Sequence, residues 1–521
     1  MPLSVRVVSA NESAERDRAA IQKGTPSRVL MQRAGTAAAE EISRRYGERL
    51  RDGAVVLTGP GNNGGDGWVV AAALARSGIG VTVVEAVEAK SPDAVAEKRA
   101  AIHAVKSFAS IADDPTSSRV VIDALLGTGA EGEPRGKIAE AIVRINELRS
   151  DGARVVALDL PSGLDATTGS HSLCAMADTT LSFGGVKRGS LLARDCCGEI
   201  VVLDIGLDEA AAPSARTVGN DGVRLPWLVD GQWVRSHIPT IRYDAHKGTR
   251  KHLAIIGGGK GMAGAVVLAT RAALRSGIGL ARALVAPENV AEIIAAAPSA
   301  LIASWPTTEA ERSSQISKWA DAIVIGPGLG KSDNSRRLVE NILGDSMVPV
   351  LLDADALNVF DGDVAALGRL LGDRAALITP HPAEFARLGK IDVKEVLDNR
   401  FDVGIEMARN LGATVLLKGS PTVIFASDGE RYVVARGTAA LGTGGSGDLL
   451  AGIAGTLLAQ SVDATASASC AAWVHGRAAE LCGYVRGTTL DDVLYALPRS
   501  WNEEEPQLNS PVLAALPSVI Q

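Results

Sequence analysis

The chain has few aromatic residues, few cysteines and no long apolar run, and each shortage excludes a class of protein. Phe, Trp and Tyr make up 3% of the 521 residues, whereas glycine occurs 56 times. Small residues in this proportion are typical of closely packed layers whose backbone approaches a ligand. The five cysteines are scattered without a CxxC pair, so they indicate buried, reduced thiols and neither a disulfide framework nor a zinc motif.

The sequence also shows no strongly basic region and no candidate membrane segment. The formal net charge of −7 argues against nucleic acid as a partner. The longest uncharged run, Leu449–Val462, is too short and too rich in Gly and Ala to span a bilayer. Charges near the N-terminus and the lack of an apolar segment there argue against a signal peptide. We therefore expect a soluble, cytoplasmic protein without a membrane partner.

Short apolar runs alternate with Ala-rich stretches from one end of the chain to the other. Most of these runs end in Gly, Pro or Asp, as in RVVALDLPSG and AIVIGPGLG. This pattern is typical of buried parallel strands whose carboxyl ends supply a site. We predict an α/β fold with two doubly wound domains, because 521 residues exceed one core. A polar, Pro- and Gly-containing stretch separates them, giving domains 1–215 and 246–521 with a linker at 216–245.

Oxygen-bearing side chains follow three predicted strands of the N-terminal half. The strands belong to AVVLTGPGNNGGDG, VVIDALLGTG and VVALDLPSGLD. The side chains are Asn62, Asn63, Asp66, Asp123, Asp159, Ser162 and Asp165. Such groups at neighbouring strand ends suit a hard cation. The alternative is that each carboxylate only caps a helix or holds a loop.

The motifs LMQRAG, GPGNNGGDG, DALLGTG and DLPSGLD, in this order, resemble the NAD(P)H-hydrate epimerase family over roughly residues 1–215. The resemblance implies a Rossmann-like three-layer sandwich, K⁺ bound by Asn63, Asp123 and Ser162, and Asp159 as the catalytic candidate. Gln32 departs from the family, which often has Glu there. The residues implied to hold the hydrated dinucleotide are Asn62, Asn63, Gly64, Gly65, Asp66, Gly127, Thr128, Gly129, Ala130, Glu131, Gly132, Glu133 and Asp159.

The C-terminal half contains the glycine loop LGTGGSGDLLAG, which carries an aspartate and no lysine. Successive amides from Thr443 to Gly447, followed by a helix, form a concavity that binds anions. Such amides stabilise a phosphoryl group in transfer, and Asp448 beside them can take the proton from an attacking hydroxyl. The loop is not a Walker A motif, because it lacks Gly-Lys-Ser/Thr. The alternative is that Asp448 only caps the helix.

The set HKG, GGGKGMAGA, GPGLG, DADALN, TPHPAEF, LKGSPT and GTGGSGD resembles the ADP/ATP-dependent NAD(P)H-hydrate dehydratases of the ribokinase-like superfamily, over roughly residues 225–500. The resemblance implies a ribokinase-like domain that uses Mg²⁺ with ADP or ATP. Thr438 and Gly442 depart from the family pattern, and because neither change removes a charge we expect altered affinity only. Asp448 is implied to be catalytic. The implied substrate contacts are Ala265, Gly328, His381 and Asp448, and the implied nucleotide contacts are Lys418, Gly419, Ser420, Pro421, Thr422 and Gly447.

Both resemblances together predict a bifunctional enzyme that repairs NADH-hydrate and NADPH-hydrate. It would interconvert the R and S hydrates and dehydrate the S form at the expense of ADP, the donor implied by the fused architecture. We also expect a homo-oligomer. The alternatives are ATP as donor, and a ribokinase-like small-molecule kinase with a non-catalytic nucleotide-binding N-terminal module. A dinucleotide-dependent oxidoreductase rests only on two GxGxxG matches, GPGNNG and GGGKGMAG.

Overall fold

The computed structural model describes residues 5–105, 107–109, 120–207, 224–502 and 507–520. The chain divides into two compact units: Ser4–Leu228 with Pro506–Val519, called the N-terminal unit below, and Val229–Glu505, called the C-terminal unit. Among the described residues, no helix is both long and apolar enough to cross a membrane.

Strands occur throughout both units. Those that precede residue 229 are β1 (Val7–Val8), β2 (Ala54–Thr58), β3 (Val81–Glu85), β4 (Ser107–Ala109), β5 (Val120–Ala124), β6 (Arg154–Leu158), β7 (Thr179–Phe183), β8 (Val186–Lys187), β9 (Glu199–Leu203) and β10 (Trp227–Leu228). Those that follow are β11 (His252–Ile256), β12 (Leu280–Val285), β13 (Leu301–Ser304), β14 (Ala322–Ile325), β15 (Val350–Leu352), β16 (Ala376–Ile378), β17 (Thr414–Leu417), β18 (Thr422–Phe425), β19 (Arg431–Val434) and β20 (Val512–Leu516).

Helices connect the strands. Those of the N-terminal unit are α1 (Ala10–Gln22), α2 (Ser27–Tyr46), α3 (Asn62–Arg76), α4 (Pro92–Ala101), α5 (Gly136–Ser150), α6 (Arg188–Leu192) and α7 (Arg194–Cys197). Those of the C-terminal unit are α8 (Gly231–His237), α9 (Ala263–Arg275), α10 (Val290–Ala296), α11 (Glu309–Arg312), α12 (Asp333–Gly344), α13 (Asp355–Asn358), α14 (Val364–Leu371), α15 (Pro382–Gly389), α16 (Val393–Asp398), α17 (Ile405–Leu411), α18 (Ser446–Ser461), α19 (Ala464–Leu481) and α20 (Leu490–Asn502).

The N-terminal unit is built on one sheet with the strand order β20-β9-β7-β6-β5-β2-β3-β4. All neighbouring strands are parallel except β20, which pairs antiparallel with β9. Alternate residues of the central strands enter two different cores: Val56 and Ile122 pack with α2 and α3, and Val55 and Val121 pack with α5. Helices therefore cover both faces, which gives three layers.

The C-terminal unit is built on the strand order β19-β18-β17-β16-β15-β14-β11-β12-β13. The seven neighbouring strands from β17 at one end to β13 at the other, including β11 and β12, are parallel. Strands β17, β18 and β19 form an antiparallel meander. Strands β14 to β17 are buried along their whole length, so both faces of the sheet are covered. The predicted class, two mainly parallel α/β units, is confirmed.

Each sheet reverses its winding at one point. In the N-terminal unit, β3 and β4 lie on one side of β2, whereas β5, β6 and β7 lie on its other side, so the reversal is between β2 and β5. In the C-terminal unit, the reversal is between β11 and β14 in the same way. A crevice opens at the carboxyl ends of such a strand pair, which is where ligands bind in open α/β sheets. Gly59–Asn63 and Asp123 lie at the first of these points, and Gly257–Gly261 and Gly326–Gly330 at the second.

The division differs from the predicted domain bounds at the C-terminus. The prediction placed all of 246–521 in the second domain, whereas β20 extends the sheet of the N-terminal unit. Its burial alternates along the strand, as expected of an edge strand that covers a core on one face. Nothing in that alternation shows which sheet the strand joins, so the sequence pattern could not assign it.

Candidate active sites

Three side chains predicted to bind a cation meet at the β2/β5 reversal. Asp123, fully buried at the end of β5, accepts hydrogen bonds from the Ser162 amide at 2.8 Å and from Ser162 Oγ at 2.6 Å. Asn63, in the first turn of α3, donates from Nδ2 to the Leu126 carbonyl at 2.8 Å. The Leu126 amide donates to Ser162 Oγ at 2.9 Å, which joins the two halves of the group.

This group has the composition of a cation site. Asn63 Oδ1 is buried and has no hydrogen-bond partner within the part of the chain that the structure describes. The hydrogen bonds to the Asp123 carboxylate come from Ser162 and Leu125, which are uncharged donors. Burial raises the pKa of Asp123, although these hydrogen bonds oppose the rise. An amide oxygen without a donor and an uncompensated carboxylate are ligands that a hard cation satisfies.

The predicted dinucleotide-binding residues border this group. Asn62 is exposed at the first position of α3, while Gly64 and Gly65 are buried in its first turn. A Cβ on Gly64 would lie 2.0 Å from the Gly59 carbonyl oxygen, so only glycine lets the helix start so close to the strand end. The segment Gly127–Glu133 forms a half-buried to exposed loop that begins beside Asn63, since a Cβ on Gly127 would be 3.1 Å from the Asn63 Cβ.

Asp66 and Asp159 belong to a second cluster, around Lys187. The Lys187 ammonium, 1% exposed, forms an ion pair with Asp159 and also donates to the Phe183 carbonyl at 3.2 Å. Burial raises the pKa of Asp66 well above its usual range, and the charge of Asp159 raises it further. Burial also raises the pKa of Asp17, which lies in α1 and interacts electrostatically with Lys187. Three acids thus share one ammonium, and Asp159 is the one that is hydrogen-bonded to it.

Asp159 occupies a strained backbone position with φ of 67°. Its amide donates to the Leu181 carbonyl at 2.8 Å, and its carboxylate accepts from the Phe183 amide at 3.2 Å. A non-glycine residue in this region costs about 1–3 kcal/mol and is common at functional sites. The backbone here aims the carboxylate at Lys187.

Two other residues of the N-terminal motifs have local roles. Asp165, at first grouped with the cation ligands, is exposed and accepts hydrogen bonds from the Thr167 and Thr168 amides at 2.9 and 2.7 Å. Asp165 therefore stabilises its own turn, which agrees with the alternative that a carboxylate here only holds a loop. Gln32, where the family often has Glu, donates from Nε2 to Glu97 at 2.8 Å.

In the C-terminal unit the glycine loop leads into α18 as predicted. Gly445 precedes the helix with φ of 93°, and Asp448 lies in the first turn. The amides of Gly444 and Gly445 make no hydrogen bond within the described ranges of the chain. A Cβ on Gly447 would lie 3.3 Å from Lys418 Nζ and 3.7 Å from Asp353 Oδ2. The loop therefore presents free amides next to a charged cluster.

That cluster is built around Lys418, at the end of β17. Its ammonium donates to Asp353 at 2.9 Å and lies 3.8 Å from Glu384. Burial lowers the pKa of Lys418, but Asp353 and Glu384 outweigh it and leave the pKa raised. Burial raises the pKa of Asp448 to about 7, and Asp353 contributes to the rise while Lys418 opposes it. Asp448 can therefore accept and release a proton near neutral pH.

His381 acts as the N-cap of α15. Its Nδ1 accepts hydrogen bonds from the amides of Ala383 and Glu384 at 3.1 and 3.3 Å. Burial lowers the pKa of His381; the Glu384 carboxylate, 3.5 Å from Nε2, opposes this effect and Lys418 adds to it, and the pKa stays lowered. The neutral ring thus carries its proton on Nε2, and the half-exposed side chain, 49% accessible, can donate that proton to a ligand.

The predicted substrate residues Ala265 and Gly328 are neighbours. A Cβ on Gly328, whose φ is 59°, would lie 3.2 Å from the Ala265 Cβ. Farther along the same loop, the Gly330 amide donates to Asp355 at 2.9 Å. Asp355 also interacts electrostatically with Asp448. The GPGLG and DADALN motifs therefore lie at the same edge of the sheet as the catalytic candidate.

The predicted nucleotide-binding segment Lys418–Thr422 connects β17 and β18. Buried Arg400 donates to the carbonyls of Lys418 and Pro421 at 3.3 and 3.2 Å, and Thr422 Oγ1 donates to the Gly419 carbonyl at 3.0 Å. The backbone of the segment is thus held rigidly. Its lysine side chain faces the acidic cluster and Gly447.

The two departures from the family pattern have structural roles. Thr438 Oγ1 accepts a hydrogen bond from the Ala440 amide at 3.3 Å, which caps the 3₁₀ turn Ala439–Leu441. A Cβ on Gly442 would lie 3.1 Å from the Ala439 carbonyl oxygen, a tight but tolerable approach.

Sequence reasoning missed several charged members of the two sites. Asp353, Asp355 and Glu384 were inside motifs that were recognised, but no role was assigned to them. Asp17 and Lys187 lie outside the recognised motifs, and only the fold brings them to Asp159. A lysine shortly after the apolar run of LSFGGVKRG is a signal that could have drawn attention to Lys187, but it does not show which carboxylate the lysine meets.

Comparison with known proteins gives consistent results for both units. The family model for NAD(P)H-hydrate dehydratase matches residues 253–498, and that for the YjeF-related protein N-terminus matches residues 27–189. The bifunctional NAD(P)H-hydrate repair enzyme Nnr of Escherichia coli (strain K12) is 34% identical over 487 residues, covering 91% of this chain and 90% of that protein. The enzyme of the same name from Moorella thermoacetica is 32% identical over 545 residues, covering 98% and 99%.

Among solved structures, ADP/ATP-dependent NAD(P)H-hydrate dehydratase from Bacillus subtilis, co-crystallised with ATP/Mg²⁺, matches 51% of this chain and 95% of its own. The two are 29% identical, with a TM-score of 0.45.

Proposed function

The chain belongs to the family of bifunctional NAD(P)H-hydrate repair enzymes, and from that premise we propose which residues perform each reaction. The N-terminal unit is the epimerase and the C-terminal unit is the nucleotide-dependent dehydratase. The observation that carries the assignment is that each unit has its own cluster of ionisable groups at the carboxyl ends of its strands, around Lys187 in the N-terminal unit and around Lys418 in the C-terminal unit. The dehydratase uses only the S hydrate, and the epimerase supplies it from the R hydrate.

In the dehydratase, Asp448 is the general base. Its carboxylate takes the proton of the hydroxyl that water added to the nicotinamide ring, while that oxygen attacks the terminal phosphoryl group of the nucleotide. The phosphoanhydride bond to this group breaks, and the shortened nucleotide, AMP when ADP is the donor, leaves. The amides of Gly444 and Gly445 and the α18 N-terminus stabilise the negative charge that develops on the phosphoryl oxygens. The C–O bond then breaks, phosphate leaves, and loss of the neighbouring ring proton restores the double bond.

The other residues of this site bind and orient. Ala265 and Gly328 let the ring approach the backbone, and His381 Nε2–H donates a hydrogen bond to the substrate. Lys418 joins Asp353 to the glycine loop, and Lys418–Thr422 with Gly447 hold the nucleotide. Mg²⁺ would neutralise the phosphates, and the carboxylates of Asp353 and Asp355 supply the oxygen ligands that it prefers. We propose ADP as the donor, on the basis of the fused architecture.

In the epimerase, Asp159 is the base and Asp66 the acid. Asp159 forms an ion pair with Lys187, whereas burial raises the pKa of Asp66 well above its usual range. Two carboxyl groups with opposed environments are suited to opposite proton transfers. Asn62–Asp66 and Gly127–Glu133 would hold the dinucleotide next to them.

K⁺ would be bound by Asn63, Asp123 and Ser162, where it would compensate the buried charge of Asp123 and fix the start of the Gly127–Glu133 loop. Asn63→Ala removes the unpaired oxygen and should weaken the K⁺ activation of epimer exchange at least tenfold, with little change in the dehydration of pure S hydrate. The control is the epimerisation rate of the wild type in NaCl or choline chloride at the same concentration as KCl. Equal epimerisation rates in all three salts would contradict the K⁺ assignment.

The whole assignment is tested by the recovery of dihydronicotinamide absorbance from a mixed R/S NADH-hydrate preparation, with Mg²⁺ and either ADP or ATP. Complete recovery faster than the spontaneous epimer exchange requires both activities, and the faster nucleotide is the donor. Recovery that stops at the S fraction would reduce the N-terminal unit to a binding module. A stable phosphorylated product would instead favour a small-molecule kinase.

A further inference from the structure

Three side chains of the N-terminal unit that neither reaction uses form a compact sulfur–nitrogen cluster. Cys174 Sγ lies 3.1 Å from Cys196 Sγ, and Cys196 Sγ lies 3.5 Å from His171 Nε2. All three ligand atoms lie within 4.8 Å of one another. Both cysteines are buried, whereas His171 is exposed. The cluster is therefore reached from the surface through its imidazole.

The imidazole is held in the tautomer that binds metals. His171 Nδ1 lies 3.0 Å from the Gly169 carbonyl oxygen, which can only accept a hydrogen bond. Nδ1 therefore carries the proton, and the lone pair of Nε2 faces Cys196. A backbone carbonyl that orients the imidazole from its other nitrogen is the usual outer-shell support of a histidine ligand.

The spacing suits a tetrahedral zinc ion better than it suits a disulfide. With Zn–S of about 2.3 Å and Zn–N of about 2.05 Å, a tetrahedral site separates S from N by about 3.5 Å and S from S by about 3.8 Å. The distance from Cys196 Sγ to His171 Nε2 already has the first value, and the two sulfurs need to separate by about 0.7 Å. The third distance, from Cys174 Sγ to His171 Nε2, is at most 4.8 Å, so it needs to shorten by no more than about 1.3 Å. A disulfide would need them to approach by about 1 Å and would leave His171 without a role.

The surroundings leave room for the fourth ligand. His171 lines a cavity of about 350 Å³, whose opposite wall is the segment Gly127–Glu133 that is proposed to hold the dinucleotide. Water or a small ligand could reach a metal from this side. The vicinal Cys197 is turned away, since its Sγ contacts the carbonyl oxygens of Ser190 and Ala193 at 3.7 and 3.4 Å. The site thus has three protein ligands and one open position.

We propose that His171, Cys174 and Cys196 form a binding site for a zinc ion, with water as the fourth ligand. Both thiols lose their protons on binding, and the imidazole contributes its Nε2 lone pair. The site is separate from the K⁺ group, but the Ala175 amide donates to the Ser162 carbonyl at 2.9 Å, so a bound zinc ion would anchor the segment that carries a proposed K⁺ ligand.

The test is zinc binding by the full-length, reduced protein, measured by competition with a chromophoric chelator and by metal analysis after gel filtration. We expect one zinc ion per chain, binding at least tenfold weaker in His171→Ala and in Cys196→Ser, and unchanged binding in Cys482→Ser. Cys482 is the control because it lies in the C-terminal unit. Co²⁺ in place of zinc should give a thiolate-to-cobalt charge-transfer band, and both cluster variants should need at least tenfold more Co²⁺ to develop it.

Three results would overturn the proposal. The first is a folded, reduced protein that retains no zinc after gel filtration. The second is zinc binding that is equal in the wild type and both cluster variants, which would place the metal elsewhere. The third is a Cys174–Cys196 disulfide in protein prepared without reductant, combined with no zinc binding after reduction, which would make the pair a redox element. If Cys196→Ser fails to fold, exposed His171→Ala still decides, with circular dichroism and dehydratase activity as folding controls.

Discussion

At the scale of single residues, the ionisation of Asp448 links activity to pH. As the proposed base, Asp448 must be ionised to accept a proton, and burial raises its pKa to about 7. We therefore expect kcat/KM for dehydration of S hydrate to rise as pH increases through about 7 and then to level off. Asp448→Asn should lower the rate by about 10²–10⁴-fold and abolish this step in the pH profile. A profile that is flat between pH 6 and 8 would contradict the assigned role.

The same residue should decrease stability where it is ionised. The folded-state pKa of about 7 exceeds the ordinary value of about 3.9, so folding favours the protonated form. The contribution of protonated Asp448 to the free energy of unfolding is thus fully present below about pH 4 and is lost as pH rises through about 7. Asp448→Asn should unfold at a higher temperature than the wild type at pH 8, and this gain should shrink at acid pH.

Lys187 should matter for both stability and epimerisation. Removing one partner of a buried ion pair costs about 3–5 kcal/mol, because the other charge remains buried. Lys187→Met should therefore destabilise the N-terminal unit by that order, as measured by denaturant unfolding, and should stop epimer exchange. The double variant Lys187→Met/Asp159→Asn should recover part of the stability and none of the activity. Dehydration of pure S hydrate is the internal control, and its loss would mean global unfolding.

At the scale of elements, the packing of α18 on α9 depends on glycine. A Cβ on Gly452 would lie 2.1 Å from the Ala269 carbonyl oxygen, so Gly452→Ala forces the helices apart. We expect a loss of about 1–3 kcal/mol and a lower dehydratase rate, because α18 carries Asp448. Gly344→Ala is the matched control, since its Cβ would meet nothing within 4 Å. Equal unfolding midpoints for the two variants would contradict the close-packing argument.

The elements also show what the sequence could and could not predict. The strand–loop–helix units were predictable, because uniformly apolar strands ending in Gly or Asp have few other interpretations. Strand ends therefore identified Asp123 and Ser162, and the glycine loop before an apolar helix identified Asp448. Lys187 and Asp17 could not be placed, since their approach to Asp159 depends on the winding of α1 and β8. The pairing of Cys174 with Cys196 was also hidden, because residues 22 positions apart form no recognisable metal spacing.

At the scale of the whole molecule, the C-terminal strand should be required by the N-terminal unit. Strand β20 covers the edge of β9, and an uncovered edge is prone to unfolding and aggregation. A chain ending at Asn502 should therefore lose thermal stability in its N-terminal unit and epimerise more slowly. Its dehydration of S hydrate should be nearly unchanged. Calorimetry with and without an added nucleotide identifies the transition of each unit, and an unaltered epimerase transition would contradict this expectation.

The position of β20 also sets an order of events during synthesis. Its partner Leu203 leaves the ribosome about 300 residues before Val512 does. At about 5–20 residues per second, this interval lasts roughly 15–60 s. During this time the N-terminal sheet exists without its last strand, while the C-terminal unit is still being made. The epimerase unit is therefore the first part of the enzyme to be translated, yet its sheet is completed only when nearly the whole chain has been made.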